Sequence, residues 1–155
     1  MELKPNKELI ELLADIDMFN EMNESEKAEF ASLLEIQKYD AGKALFQEGD
    51  PGGHMFIIAD GTVEVQKKRS HGTGNVVIAR FDRGGVIGEM SLVDGLTRSA
   101  TVMAVQFTHA FVLDNNMFDD MLQNRQTLAI KLLKGLSRLL SLRLRNTSGW
   151  FADVF

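Results

Sequence analysis

Two charged side chains within residues 86–102 have the types and surroundings that suit recognition of a small polar ligand. Glu89 supplies a carboxylate and Arg98 a guanidinium, and most of their neighbours are apolar, small or hydroxylic. Such neighbours are typical of buried positions, and a buried charge needs a charged partner, a backbone partner or a ligand. A ligand that carries both an anion and a hydroxyl group would satisfy this pair.

The composition indicates one globular domain located in the cytoplasm. The sequence has 155 residues, 45% of them hydrophobic, which is enough to build a core without disulfides or metals. The absence of cysteine excludes disulfides and thiolate nucleophiles. The net charge of −5 argues against nucleic acid as the main partner, because phosphate binding needs a surplus of lysine and arginine. No apolar run suggests a signal peptide or a membrane span, so neither export nor a membrane partner is expected.

Residues 6–34 are predicted to form an N-terminal helical region. Apolar residues recur at helical spacing from Leu9 to Ile16, which is typical of an amphipathic helix. Asn23 and Glu26 have the spacing of a capping box, which predicts the start of a second helix.

Residues 35–114 are predicted to form a β-roll. Short apolar segments alternate with glycine-rich turns, and this pattern favours a jelly-roll barrel over a parallel α/β sheet. The pair Asp60-Gly61 between two apolar segments is typical of a tight hairpin. The predicted strands are residues 44–46, 55–59, 62–66, 75–81, 99–104 and 110–113.

Residues 115–147 are predicted to form two helices, the first capped by Asn115 or Asn116. The second helix has two leucine stripes, where an amphipathic helix needs one. Either the second stripe packs against another copy of the chain in a homodimer, or the helix is sunk in a single core. Gly135 costs this helix about 1 kcal/mol and is expected to allow a close approach or a bend. The aromatic end, residues 150–155, is expected to fold back on the body.

A resemblance to a known family is carried by two segments, G-E-M-S-L at residues 88–92 and R-S-A-T-V at residues 98–102. They resemble the phosphate-binding cassette of cyclic nucleotide-binding domains of the catabolite activator protein and protein kinase A regulatory subunit type. Residues 48–50 (E-G-D) and 55–65 agree with the same family. The resemblance covers nearly the whole chain and implies a stand-alone regulatory module without a DNA-binding domain, with its cassette at residues 86–102.

A cyclic nucleotide offers a phosphodiester, a ribose 2′-hydroxyl and a base, and the cassette residues suit the first two groups. The planar fork of Arg98 can hold the phosphate oxygens. The carboxylate of Glu89 can accept the 2′-hydroxyl proton. Gly88 and Ala100 are small, which lets the backbone come close to the ligand, and Ser99 with the Ala100 amide would complete the anion site.

The resemblance also implies which residues contact the base. The base is expected to rest against Val65, Ile78 and Ala79, and the last helix is expected to cover it with Leu139 and Arg143. cAMP is favoured as the ligand, and cGMP is the alternative because a hydroxyl such as that of Ser99 can serve guanine. The complete predicted ligand-binding set is Gly88, Glu89, Met90, Ser91, Arg98, Ser99, Ala100, Ile87, Val65, Ile78, Ala79, Arg143 and Leu139.

These features predict a cyclic nucleotide sensor that is not an enzyme. Binding is expected to draw Arg98 inward and to reposition the last helix for a dimer mate or a separate effector protein. The three histidines lack the spacing of a metal site, and no pair of residues suggests hydrolysis. Three alternatives stay open: a degenerate module that kept the barrel as a ligand-free interaction scaffold, the regulatory fragment of a larger effector protein, and a small barrel enzyme.

Overall fold

A computed structural model describes the backbone of residues 5–154 and the side chains of residues 7–147. The chain divides into a helical unit, which runs up to Ala31 and from Asp120 onward, and a β-roll unit, Ser32–Asp119. The helices are α1 (Pro5–Ala14), a 3₁₀ turn (Asp17–Phe19), α2 (Glu24–Ser32), α3 (Glu89–Asp94), α4 (Asn115–Asn124) and α5 (Gln126–Val154). The strands are β1 (Glu35–Tyr39), β2 (Ala44–Phe46), β3 (His54–Asp60), β4 (Val63–Lys68), β5 (Asn75–Phe81), β6 (Val86–Ile87), β7 (Thr101–Ala104) and β8 (Thr108–Asp114).

The N-terminal part of the helical unit buries apolar side chains from each of its elements. The ring centroids of Phe19 and Phe30 lie 5.3 Å apart. The predicted capping box opens α2, because the Glu26 amide donates to the Asn23 side chain at 2.8 Å and the Asn23 amide donates to the Glu26 carboxylate at 3.0 Å. The buried residues of this part are Leu9, Leu12, Leu13, Met18, Phe19, Met22, Phe30 and Ala31.

Ion pairs join α5, and Arg125 directly before it, to acidic residues that lie between the 3₁₀ turn and the end of α2. These contacts hold the pKa of Glu21 below its usual range, chiefly through Arg138, and the pKa of Glu26 likewise, chiefly through Lys131. A lowered carboxyl pKa stabilises the folded state at neutral pH, and this contribution is lost as the pH falls through the lowered value. The pairs are Glu21 with Arg138 at 2.9 Å and Lys134 at 3.3 Å, Glu26 with Lys131 at 2.7 Å, and Glu29 with Arg125 at 2.6 Å.

The leucines of α5 have different surroundings along the helix. Leu128, Leu132 and Leu136 are buried, whereas Leu142 and Leu144 are 57% and 67% exposed. The first half of α5 therefore fits the single-core alternative, and the second half exposes leucine side chains. α5 continues past the predicted end at residue 147 to Val154. The side chains of the aromatic end, for which a fold back on the body is expected, lie outside the described residues. Among the described residues, no helix is both long and apolar enough to cross a bilayer.

Gly135 lies where α5 comes close to the 3₁₀ turn. A Cβ atom at this residue would lie 2.0 Å from the carbonyl oxygen of Met18, so the glycine permits a close approach. We expect Gly135→Ala to lower the free energy of unfolding by up to about 2 kcal/mol, because overpacking costs about 1–3 kcal/mol. The better helix propensity of alanine offsets about 1 kcal/mol of this cost.

Urea unfolding measures the effect of Gly135→Ala. The control is Ser141→Ala, an exposed position on the same helix, which we expect to leave the unfolding midpoint nearly unchanged. A Gly135→Ala variant as stable as the wild type would contradict the close contact.

The β-roll consists of two four-stranded antiparallel sheets, with strand orders β1-β8-β3-β6 and β2-β7-β4-β5. Successive side chains of a strand point to opposite faces, so each sheet can give one set of residues to a shared interior. Both sheets contribute to one core cluster, and this architecture confirms the predicted jelly-roll with flanking helices. The cluster contains Phe56, Ile58, Val63, Ile87, Val102, Ala110 and Val112.

The predicted hairpin at Asp60-Gly61 is wrong. The turn exists, and Gly61 has a φ of +94°, but β3 and β4 lie in different sheets. β3 pairs with β8 and β6, whereas β4 pairs with β5 and β7, so the turn carries the chain from one sheet to the other. A local turn pattern predicts the reversal of the chain but not the strand with which each side pairs.

Two further details differ from the predictions, and two predicted strands agree with the structure. Two short strands, β1 and β6, were not predicted, because β1 is mostly polar and β6 has two residues. The first C-terminal helix is capped by Asp114, whose carboxylate accepts the Met117 amide at 2.7 Å, and not by Asn115 or Asn116. The predicted strands 44–46 and 75–81 agree with β2 and β5 at both ends.

Candidate functional site

Arg98 is held in the loop between α3 and β7 by backbone hydrogen bonds on both sides. Its amide donates to the Asp50 carbonyl at 2.8 Å, and its own carbonyl accepts the Gly49 amide at 2.9 Å. The side chain is only 4% exposed. The loop that precedes β3 therefore fixes where the guanidinium enters the roll.

The guanidinium of Arg98 lies over an aromatic ring and donates to two backbone carbonyls. Its Nη1 atom donates to Gly88 at 3.2 Å and its Nη2 atom to His54 at 3.0 Å. The Cζ atom lies 4.0 Å from the ring centroid of Phe46 and 5.8 Å from that of Phe56. A guanidinium over an aromatic face is attracted by the ring quadrupole, so Phe46 serves as a platform for the cation.

One donor of Arg98 is left unsatisfied. Among the described residues, the buried Nε atom has no hydrogen-bond partner. A buried donor without an acceptor costs about 1–3 kcal/mol, and native proteins rarely tolerate it without a reason. The donor set of Arg98 therefore fits an anion.

The charge of Arg98 is opposed by two nearby acids, Asp50 and Glu89. Burial lowers the pKa of Arg98, and the carboxylates of Asp50 and Glu89 act in the opposite direction. Arginine stays protonated in proteins, so the group is a buried cation at physiological pH. The Arg98 cation would therefore also stabilise the negative charge of a ligand at this place.

Gly88 precedes Glu89 in the chain and lies close to the Arg98 guanidinium, and the packing around it leaves no room for a side chain. Its φ is +74°, and a Cβ atom would lie 2.7 Å from the His54 carbonyl and 2.8 Å from Arg98 Nη1. Glu89 follows directly as the first residue of α3 and is buried, with 5% exposure. Gly88 thus directly precedes Glu89 in the chain and accepts a hydrogen bond from Arg98 through its carbonyl.

The other cassette residues differ in exposure. Ile87 belongs to the core cluster, and Ser91 and Ala100 are buried. Met90 is 51% exposed, and Ser99 is also exposed. The cassette therefore packs against the roll with some of its side chains and exposes others to solvent.

The residues predicted to contact the base lie in both units. Val65 on β4 is directly opposite Ala79 on β5, and Val65 packs against the core cluster. Ile78 is 57% exposed, next to a register shift between the two strands. Leu139 and Arg143 are half-buried residues of α5 in the helical unit. Their contact with a base stays a prediction.

Within the part of the chain that the structure describes, no cluster of three His, Asp or Glu side chains could hold a metal ion. The site contains the buried Arg98 cation with its unsatisfied Nε donor, the buried acid Glu89, and the Gly88 backbone close to the Arg98 guanidinium. These groups suit the binding of a small anion that also carries a hydroxyl.

The model of the cyclic nucleotide-binding domain family matches residues 36–125, which is more than half of the chain. The chain belongs to the cyclic nucleotide-binding domain family. The matched range contains all of the cassette, residues 86–102, and every strand of this cyclic nucleotide-binding domain from β2 to β8.

Individual relatives of this cyclic nucleotide-binding domain agree with the assignment. The solved structure of a cyclic nucleotide-binding domain from Methylobacillus flagellatus has a TM-score of 0.85 and 30% identity, over 96% of this chain and 83% of that one. The cAMP-dependent protein kinase regulatory subunit of Mycosarcoma maydis is 33% identical over 62% of this chain and 18% of its own length. A CRP-like cAMP-activated global transcriptional regulator of Mycobacterium tuberculosis is 26% identical over 93% of this chain and 62% of its own length. The chain thus spans less than two thirds of these two regulatory proteins.

Sequence reasoning missed the residues that position Arg98 in this cyclic nucleotide-binding domain. The sequence pattern places Phe46 in a strand and indicates no role for the His54 carbonyl. Gly49 and Asp50 belong to a segment that agrees with the family, but the pattern does not connect them with Arg98. The contacts of these residues with Arg98 join distant parts of the chain. The one sequence signal was Phe46, an aromatic residue in a predicted strand that could pack against a cation.

Proposed function

We propose that this domain binds cAMP through Arg98 and Glu89, with cGMP as the alternative ligand. The observation that carries the proposal is the buried Arg98 Nε atom, which has no partner among the described residues. A phosphodiester oxygen would supply the missing acceptor, in a charge-assisted hydrogen bond worth about 1.5–3 kcal/mol. Two of the relatives described above support cAMP rather than cGMP, because one is a regulatory subunit of a cAMP-dependent protein kinase and the other is a cAMP-activated transcriptional regulator.

Five cassette residues have a role in the proposed complex. The Arg98 guanidinium neutralises the phosphodiester, and the Glu89 carboxylate accepts the hydrogen of the ribose 2′-hydroxyl. Gly88 leaves room beside both groups, since a Cβ atom there would meet Arg98 itself. The Ser99 hydroxyl and the Ala100 amide donate to the phosphate from the bend that precedes β7.

The base rests against the roll at Val65 and Ala79, with Ile78 beside them. The direct pairing of Val65 with Ala79 supports a shared apolar surface for a flat ring. Leu139 and Arg143 cover the base from α5. Both side chains are half-buried. The leucine suits the apolar face of a base, and the arginine suits its face or its polar edge.

The bound ligand acts by shifting the position of α5. Exposed leucines in the second half of the helix, Leu142 and Leu144, then meet a dimer mate or a separate effector protein. The domain works in the cytoplasm as a sensor without catalytic activity, and neither nucleic acid nor membrane is its partner.

Calorimetric titration with cAMP, cGMP and 2′-deoxy-cAMP at two temperatures tests the proposal. We expect cAMP to bind more tightly than cGMP. We also expect the 2′-deoxy analogue to bind about 10- to 150-fold more weakly than cAMP, which corresponds to the loss of one hydrogen bond to a charged group. The absence of heat with every nucleotide at both temperatures would favour the ligand-free scaffold. An equal affinity for cAMP and its 2′-deoxy analogue would remove Glu89 from the ribose site.

A further inference from the structure

A lysine from β4 reaches the backbone of the cassette. The Nζ atom of Lys67 lies 2.5 Å from the carbonyl oxygen of Ser99 and 3.1 Å from Oε1 of Glu48. The side chain of Lys67 is about half exposed, at 47%, whereas that of Glu48 is 21% exposed. One ammonium group therefore connects the residue after Arg98 to an acid from a distant loop.

Glu48 is itself fixed at two further points. Its Oε2 atom accepts the Lys68 amide at 3.1 Å, and its own amide donates to the Thr101 hydroxyl at 2.9 Å. The bond from the Lys68 amide, together with that from the Lys67 ammonium, holds the pKa of Glu48 below its usual range. The carboxylate is thus charged at neutral pH and held in place, so it can orient the Lys67 ammonium.

The geometry of the peptide bond converts a contact with the Ser99 oxygen into an orientation of the Ala100 amide. The Ser99 carbonyl and the Ala100 N–H belong to one planar unit, and in a trans peptide they point in opposite directions. The described chain contains no cis peptide bond. A cation that holds the oxygen on one side therefore directs the N–H to the other side.

We propose that Lys67, oriented by Glu48, is a positioning residue that fixes the Ser99–Ala100 peptide and aligns the Ala100 amide with the ligand phosphate. The inference rests on the proposed function, which places the phosphate beside Arg98 and Ala100. It adds two residues that have no contact with the nucleotide. Prealigned donors bind an anion more tightly because the peptide does not have to be ordered on binding.

The test compares charge-matched variants at neighbouring positions. Lys67→Met removes the ammonium that contacts Ser99, and Lys68→Met removes the same charge one residue further along β4. We expect Lys67→Met to weaken cAMP binding about tenfold, as the loss of one well-placed amide hydrogen bond does. We expect Lys68→Met to change the affinity less than about twofold, the value for a solvent-exposed charge. Lys67→Arg keeps a donor for the carbonyl and is expected to recover most of the affinity.

Phosphorothioate analogues of cAMP distinguish a positioning role from a general loss of charge. Each of the two diastereomers replaces one exocyclic phosphate oxygen by sulfur, a weaker acceptor. The Ala100 amide can face only one of these oxygens, so Lys67→Met should reduce the penalty of one diastereomer and leave the other unchanged. Equal changes for both diastereomers would overturn the positioning role.

A readout without ligand completes the test. The ¹⁵N–¹H resonance of Ala100 is expected to shift in ligand-free Lys67→Met and to stay in place in Lys68→Met. If the wild type does not bind cAMP, the proposed function itself fails. If the wild type binds cAMP and Lys67→Met binds it equally well with an unshifted Ala100 resonance, only this inference fails.

Discussion

Arg98→Ala is expected to weaken cAMP binding at least about a hundredfold, the largest loss of affinity for any single substitution in the site. The guanidinium is buried, carries the charge opposite to the phosphate and has a free Nε donor. Two charge-assisted hydrogen bonds at about 1.5–3 kcal/mol each account for a loss of this size. Arg98→Lys keeps the charge but lacks the planar fork, so its affinity should lie between those of the alanine variant and the wild type.

Titration calorimetry on the folded variant measures the effect of Arg98→Ala. Thermal unfolding without ligand shows whether the variant is folded, because the substitution also removes the donors to the Gly88 and His54 carbonyls. The control is Arg69→Ala in the exposed turn between β4 and β5, which removes the same charge and is expected to bind like the wild type. An unchanged affinity of the folded Arg98→Ala variant would show that the phosphate is bound elsewhere.

Features determined by short-range patterns could be predicted from the sequence. The capping box of Asn23 and Glu26 involves residues three positions apart, and both of its hydrogen bonds are present. The β5 strand was predicted with its two ends, because an apolar run and a glycine-rich turn mark them. The motif around Glu89 and Arg98 is short and specific, so the family could be identified before its fold was known.

Features determined by long-range pairing could not be predicted in the same way. The Asp60-Gly61 turn has the sequence of a hairpin, but β3 finds its partners β8 and β6 in another part of the chain. Phe46 and Lys67 reach the cassette from β2 and β4, and nothing near them in the sequence indicates this contact. The motif predicts which charged groups the site contains. The residues that position these groups depend on which strands become neighbours, and a local pattern does not predict that.

Gly88→Ala is expected to damage both folding and binding, because a Cβ atom at this position would strain the backbone and find no free space. A φ of +74° costs a residue with a Cβ atom about 1–2 kcal/mol. The new methyl group would also lie 2.7 Å from the His54 carbonyl and 2.8 Å from Arg98 Nη1. Relief of this overlap moves the guanidinium, so we expect about a 10- to 150-fold loss of cAMP affinity, which equals one charge-assisted hydrogen bond.

Gly95 at the other end of α3 separates the two costs of the Gly88 substitution. Its φ is +68°, close to that of Gly88, but a Cβ atom there would have no neighbour within 4 Å. Gly95→Ala therefore carries the backbone strain without the overlap. We expect Gly88→Ala to be less stable than Gly95→Ala by about 1–3 kcal/mol in urea unfolding, the usual cost of overpacking. Only Gly88→Ala should lose cAMP affinity, because only its methyl group meets Arg98. Equal stability and equal affinity of the two variants would mean that Gly88 serves the turn alone and leaves Arg98 undisturbed.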